Sequence, residues 1–175
     1  FVEIAKRGNV DVLFLGDSIT DAWRGFDEKN SRGGKRIFDK EFAPLKTANF
    51  GIGGDQTQHV LWRIQNGELD GIKPKVVMLM IGTNNSNGND NTAEEIAEGI
   101  TAIVREIHKR SPKTKVLLLG IFPRGKDPDN PATKAQREKI ARVNQIISKL
   151  DDGGKTVKYL DIGHLFIKPD GHIPP

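Results

Sequence analysis

Residues 10–20 read VDVLFLGDSIT, and the change of character at Gly16 decides the fold. Val10 to Leu15 is apolar except for Asp11, too short for a helix and closed by a glycine, so it reads as a buried strand. Gly16-Asp17-Ser18-Ile19-Thr20 then turns the chain into a helix. The same change recurs, and the candidate strands are Val10 to Leu15, Leu45 to Phe50, Val76 to Ile81, Lys115 to Phe122 and Thr156 to Ile162. Between them apolar residues are spaced by three and four: Val60, Leu61 and Ile64; Ile96, Ile100, Ile103, Val104 and Ile107; Ile140, Val143, Ile147 and Leu150. Thr92 with Glu95 is a capping box at the start of the longest helix, and Asp152-Gly153-Gly154 stops the last one. Strands alternating with helices predict a single α/β domain over residues 1–175, built on a parallel sheet.

The strands differ in a way that predicts their order. The first, third and fourth (VDVLFLG, VVMLMIG, VLLLGIF) are almost wholly apolar, as strands covered on both faces are. The second and fifth (LKTANF, VKYLDI) alternate with polar residues and suit edges. Order 2-1-3-4-5 satisfies both preferences with right-handed crossovers, giving a flavodoxin-like, doubly wound three-layer sandwich. Ligands bind such sheets at the carboxyl ends of the strands, near the switch point between strands one and three.

Composition narrows the chemistry. The 175 residues contain no cysteine, which removes disulfide scaffolds, thiol nucleophiles and cysteine-ligated metal sites. Hydroxyls, carboxylates, imidazoles and backbone dipoles remain. With 27 basic and 23 acidic side chains the net charge is +4, but the two signs alternate along the chain. A solvated mixed surface is expected rather than a nucleic-acid patch. No apolar run approaches the roughly 20 residues of a membrane span. The opening at Phe1 instead of a Met makes an N-terminal portion outside these residues the expectation.

Three turns at the carboxyl edge carry candidate chemistry. Ser18 follows strand one at a helix N-terminus, where dipole and free N–H groups favour an oxyanion. Alone, it reads first as a helix N-cap. Strand two runs into Asn49-Phe50-Gly51-Ile52-Gly53-Gly54-Asp55, where glycines permit a sharp turn and close approach to a ligand. Gln56 occupies the last glycine position of a dinucleotide fingerprint, so phosphate cradling is not expected. Strand three runs into Gly82-Thr83-Asn84-Asn85; alone, Asn84 is an ordinary loop cap. Strands lie about 4.8 Å apart, so Ser18, Gly54 and Asn84 can converge from three adjacent strands.

The segments FLGDSIT, NFGIGGDQTQHVLWRIQNGEL and MIGTNN, each after its own strand, resemble the GDSL esterases, also called SGNH hydrolases. The likeness spans nearly the whole chain, and the second segment looks most like the alpha subunits of platelet-activating-factor acetylhydrolase and their bacterial relatives. The resemblance implies a serine esterase with an acyl-enzyme intermediate, no metal and no cofactor. Ser18 would be the nucleophile; the backbone N–H groups of Ser18 and Gly54 and the side-chain amide of Asn84 would form the oxyanion hole. The implied partner is a small ester of a lipid or carbohydrate, acetyl first, with self-association left open. The rival from another class is a catalytically impaired module that uses the same pocket to bind its ligand.

The family's base and its orienting acid form an Asp-x-x-His block after strand five. Asp161-Ile162-Gly163-His164 has that spacing, but Asp161 belongs to strand five, three strand spacings or about 14 Å from Ser18, whereas a base must come within about 3 Å. Asp161 therefore reads as structural and His164 as a loop residue. The block itself is expected beyond Pro175, so the domain is expected to continue past it. His172 reads as exposed, His59 as packed or hydrogen-bonded, and His108 as facing solvent in a basic turn. Around the pocket, GFDEKNSRGGKR at the start of the Gly25 to Pro44 segment reads as a surface loop, followed by packed Ile37, Phe38 and Phe42. Arg124, after strand four, lies on the active edge, and Trp62 reads as core.

Overall fold

The computed structural model describes residues 1–25 and 33–174. Most of the polar stretch GFDEKNSRGGKR lies outside them. In chain order the elements are α1 (Val2–Arg7), β1 (Val12–Gly16), α2 (Ser18–Asp21), α3 (Lys35–Ile37), β2 (Thr47–Asn49), α4 (Thr57–Arg63), β3 (Val76–Met80), α5 (Ala93–Arg110), β4 (Lys115–Leu119), α6 (Pro131–Ile147) and β5 (Val157–Leu160). The five strands form one parallel sheet in the order β2-β1-β3-β4-β5. This is the expected doubly wound topology. The strands are shorter than the apolar runs suggest: Leu45 falls in a 3-10 turn, while Ile121, Phe122 and Ile162 lie beyond the ends of β4 and β5. At the carboxyl edge Ile121 stays buried and Phe122 and Ile162 half-buried after ladder pairing has stopped, whereas Leu45 precedes β2 and is 52% exposed.

The two sheet faces are covered differently. Leu13, Leu15, Val77, Leu79, Val116 and Leu118 point to the face where α4, α5 and α6 pack side by side. There Val60, Ile64, Ile96, Ile100, Ile103, Ile107, Ile140, Val143 and Ile147 complete the core. The opposite face is covered over β1 by an aromatic cluster in which the Phe14 ring meets Trp23, Phe38 and Phe42 edge-on, 4.9–6.4 Å between centroids. Further along it, Val76, Met78, Leu117 and Leu119 stay half-exposed along an apolar groove of about 420 Å³.

Local signals explain the helix ends. Thr92 and Glu95 cap each other across the first turn of α5, and Asn130 caps α6 ahead of Pro131. Three burial expectations are corrected. Trp62 is 64% exposed and Ile37 is 47% exposed, whereas Phe38 is buried and Phe42 half-buried. At 100° per residue, Val60 and Ile64 share one side of α4 and Trp62 projects from the other. His108 is half-buried rather than solvent-facing, because α5 packs on both neighbouring helices. Among the described residues no helix is long and apolar enough to cross a membrane.

Candidate active site

The N-cap of α2 is Asp17, whose Oδ1 accepts the Ile19 N–H at 3.0 Å, and Ser18 is the first helical residue. The capping role that Ser18 could have filled is taken by its neighbour. Ser18 is consequently exposed at the carboxyl end of β1 with its hydroxyl free of any cap.

The turn after β2 is held against α2 by contacts that only glycine allows. A Cβ on Gly51 would stand 2.4 Å from the Asp21 nitrogen and 2.8 Å from the Thr20 carbonyl carbon. The Asn49 side chain donates to the Thr20 carbonyl at 2.7 Å and accepts from the Gly51 N–H at 2.9 Å. Asp21 accepts from the Gly53 N–H at 3.3 Å and pairs with Arg24, whose guanidinium reaches the Gly51 carbonyl at 2.9 Å. A Cβ on Gly53 would come within 4.0 Å of the Ser18 Cβ. Gly54 follows with φ +84° and open space around it. Gly51→Ala is expected to cost about 1–3 kcal/mol, read as a lower urea midpoint, because this loop must lift off α2.

From β3, the Asn84 side-chain amide donates to the Asp55 carbonyl at 2.8 Å, next to Gly54. One amide N–H is spent on that bond and one is left over. Asn85, to which no role was assigned from sequence, is buried; its Oδ1 accepts the Thr57 N–H at 2.9 Å and pins α4 to the β3 turn. The Ser18, Gly54 and Asn84 turns are thus fastened to one another at one edge, through Asn49, Asp21 and the Asp55 carbonyl.

Beneath them is a buried ion network without a sequence signature. Arg63 donates to Asp55 Oδ2 at 2.7 and 3.0 Å, to the Phe50 carbonyl at 3.2 Å and to Glu68. Burial lowers the Arg63 pKa, partly offset by Asp55. Glu68 reaches Arg63 because the chain kinks at Asn66 and Gly67. Burial also pushes the Asp17 carboxyl above the usual carboxylate range, against the Ile19 amide, the Thr83 hydroxyl and the charge of Arg124. Arg124 is placed by Arg137, which donates to the carbonyls of Arg124, Gly125 and Gly171 at 2.8 Å each.

The histidines stand apart. Asp161 accepts the Gly163 N–H at 2.8 Å and is exposed, as is His164. The His172 imidazole lies 3.4 Å from Asp170 on the tail. His59 Nδ1 accepts the Gln56 N–H at 3.1 Å, which leaves the proton of the neutral ring on Nε2. In that tautomer Nε2 donates and cannot take a proton from a serine hydroxyl.

Residues 14–175 match the profile of the GDSL-like Lipase/Acylhydrolase family. The chain is 44% identical over 173 residues to platelet-activating factor acetylhydrolase IB subunit alpha2 of Rattus norvegicus, covering 99% of this chain and 68% of that protein. Among solved structures, a GDSL-like lipase from Bacteroides thetaiotaomicron superposes with a TM-score of 0.68 at 21% identity, over 99% of this chain and 82% of that one. An acetylxylan esterase from Geobacillus stearothermophilus superposes with a TM-score of 0.62 at 16% identity, over 93% and 86%. At those identities the two structures speak for the fold alone. The family match and the curated relative carry more: this chain belongs to the GDSL-like lipase/acylhydrolase family and is a carboxylic ester hydrolase.

Proposed function

We propose that the protein hydrolyses short-chain esters, acetyl esters first, through an acyl-enzyme formed on Ser18. The observation that supports this is the fastening of three turns around one point: an uncapped serine hydroxyl at a helix N-terminus, an open Gly54 and a tethered Asn84 amide. Ser18 Oγ attacks the ester carbonyl, and the carbonyl oxygen takes the negative charge. The Ser18 and Gly54 N–H groups and the second Asn84 amide N–H receive it, each worth about 3–4 kcal/mol in the transition state. The alcohol leaves, and water then cleaves the acyl-serine. The acetyl preference follows the name of the curated relative, an acetylhydrolase. A lipid or a carbohydrate would carry the ester.

We infer further that base and orienting acid come from an Asp-x-x-His segment following Pro175. Asp161 and His164 are three strands from β1, and the His59 ring holds the wrong tautomer. The half-exposed apolar face of β3 and β4 suits the same reading.

An organophosphate ester is the direct test. Intact mass should rise by one phosphoryl group per chain, with the label mapping to Ser18 by peptide sequencing. A chain that binds acylated ligand but never takes the label would be a binding module, not an esterase.

A further inference from the structure

We propose that Asp17 and Thr83 form a buried latch that sets Ser18 against Asn84, making both of them positioning residues for hydrolysis. The proposal rests on the roles of Ser18 and Asn84 given above and adds two residues that touch neither substrate nor oxyanion.

The latch follows from register. Gly16 pairs with Met80 at the ends of β1 and β3, so the two turns leave the sheet side by side. A Cβ on Gly16 would stand 2.3 Å from the Met80 carbonyl oxygen, so only glycine lets the strands end this close. Asp17 and Thr83 are the residues just before Ser18 and Asn84, and both are buried. One Asp17 oxygen is spent on the Ile19 N–H, while Oδ2 is buried without a partner in hydrogen-bond geometry. The Thr83 hydroxyl is also buried and unpartnered. Its backbone is fixed, since the Thr83 carbonyl accepts from the Ser86 hydroxyl at 2.7 Å, which leaves the hydroxyl as the free part. It already lies near enough to stabilise the Asp17 charge.

Two orphan oxygens, one able to donate and one only to accept, are complementary. Buried polar groups in folded proteins are almost always paired, and a rotation of the Thr83 hydroxyl supplies the missing bond. Once made, it ties the nucleophile turn to the turn that carries the oxyanion donor. Small misplacements of such groups are costly: about 1 Å can lose about 100-fold in rate.

The test uses Thr83→Val, which keeps shape and removes the hydroxyl, Thr83→Ser, which restores it, and Asp17→Ala. In Thr83→Val, kcat for a chromogenic acetate ester is expected to fall by about 10- to 100-fold with KM within about twofold, and Thr83→Ser to recover to within about threefold of wild type. In NMR spectra, the Ser18 amide and the Asn84 side-chain amide should shift in Thr83→Val and return in Thr83→Ser. Combined, Asp17→Ala and Thr83→Val should be non-additive in urea unfolding by about fivefold or more in the unfolding constant. Additivity within about twofold, or unmoved resonances, overturns the latch; coupled stability with unchanged kcat overturns its positioning role. A wild-type chain that neither turns over ester nor takes an organophosphate label defeats the esterase reading, and the NMR and unfolding arms then decide the latch separately.

Discussion

Replacing Ser18 by alanine is expected to lower turnover of a chromogenic acetate ester by about 10,000-fold or more, because loss of a nucleophile removes the covalent route altogether. The fold should not notice. Ser18 is exposed, and the helix cap is Asp17, so the unfolding free energy measured in urea should stay within about 0.5 kcal/mol of wild type. That separation gives the measurement its force. If Ser18 were the cap, the variant would lose activity and stability together, and the rate alone could not tell a nucleophile from a support. Full turnover by Ser18→Ala, at wild-type stability, would refute the covalent mechanism and send the search for a nucleophile elsewhere on the carboxyl edge.

Much of the fold was legible in the sequence because parallel strands buried on both faces leave continuous apolar runs, while edge strands alternate. β1, β3 and β4 contrast with β2 and β5 on that ground alone, and with right-handed crossovers added the order 2-1-3-4-5 satisfies it. The candidate site was legible for a related reason. Topology brings the residues just past β1, β2 and β3 to one place, so Ser18, Gly54 and Asn84 could be placed together from position, while their roles rested on the resemblance to the GDSL esterases. Trp62 shows where the reasoning failed: with apolar residues at 60, 61 and 62 in α4 and at 64 just after it, not all can face the core, and periodicity does not say which one turns out.

What the sequence hid are the tertiary fasteners. Asn49, Asn85 and Asp21 are common loop and helix residues whose roles depend on partners 28 to 32 positions away. Asp17 lies inside the family motif, yet its cap on Ile19 and its buried free oxygen appear only once β3 is beside β1. The Arg63 network was hidden by geometry. Glu68 is five residues on, outside helical pairing distance, and meets Arg63 only because Asn66 and Gly67 leave helical geometry.

That network carries the second large effect. Arg63→Met is expected to destabilise the protein by about 3–5 kcal/mol, read from urea or thermal unfolding, because two buried carboxylates lose their shared cation. Asp55 and Glu68 are both buried, one Glu68 oxygen already lacks a partner, and the other basic group beside Asp55 is the His59 imidazole at 3.9 Å. Adding Asp55→Asn and Glu68→Gln to Arg63→Met should recover much of the loss, since the stranded charges are then gone. A loss under about 1 kcal/mol for Arg63→Met alone would mean that the two carboxylates are relieved by water or by protonation. The site should feel the change too. The Asp55 carbonyl accepts the Asn84 amide, and Arg63 fixes both the Asp55 carboxylate and the Phe50 carbonyl, at either end of the loop that bears Gly54. Turnover in the folded fraction of Arg63→Met should therefore fall with stability, and the triple variant should restore stability more fully than rate, because the Phe50 carbonyl still lacks its guanidinium.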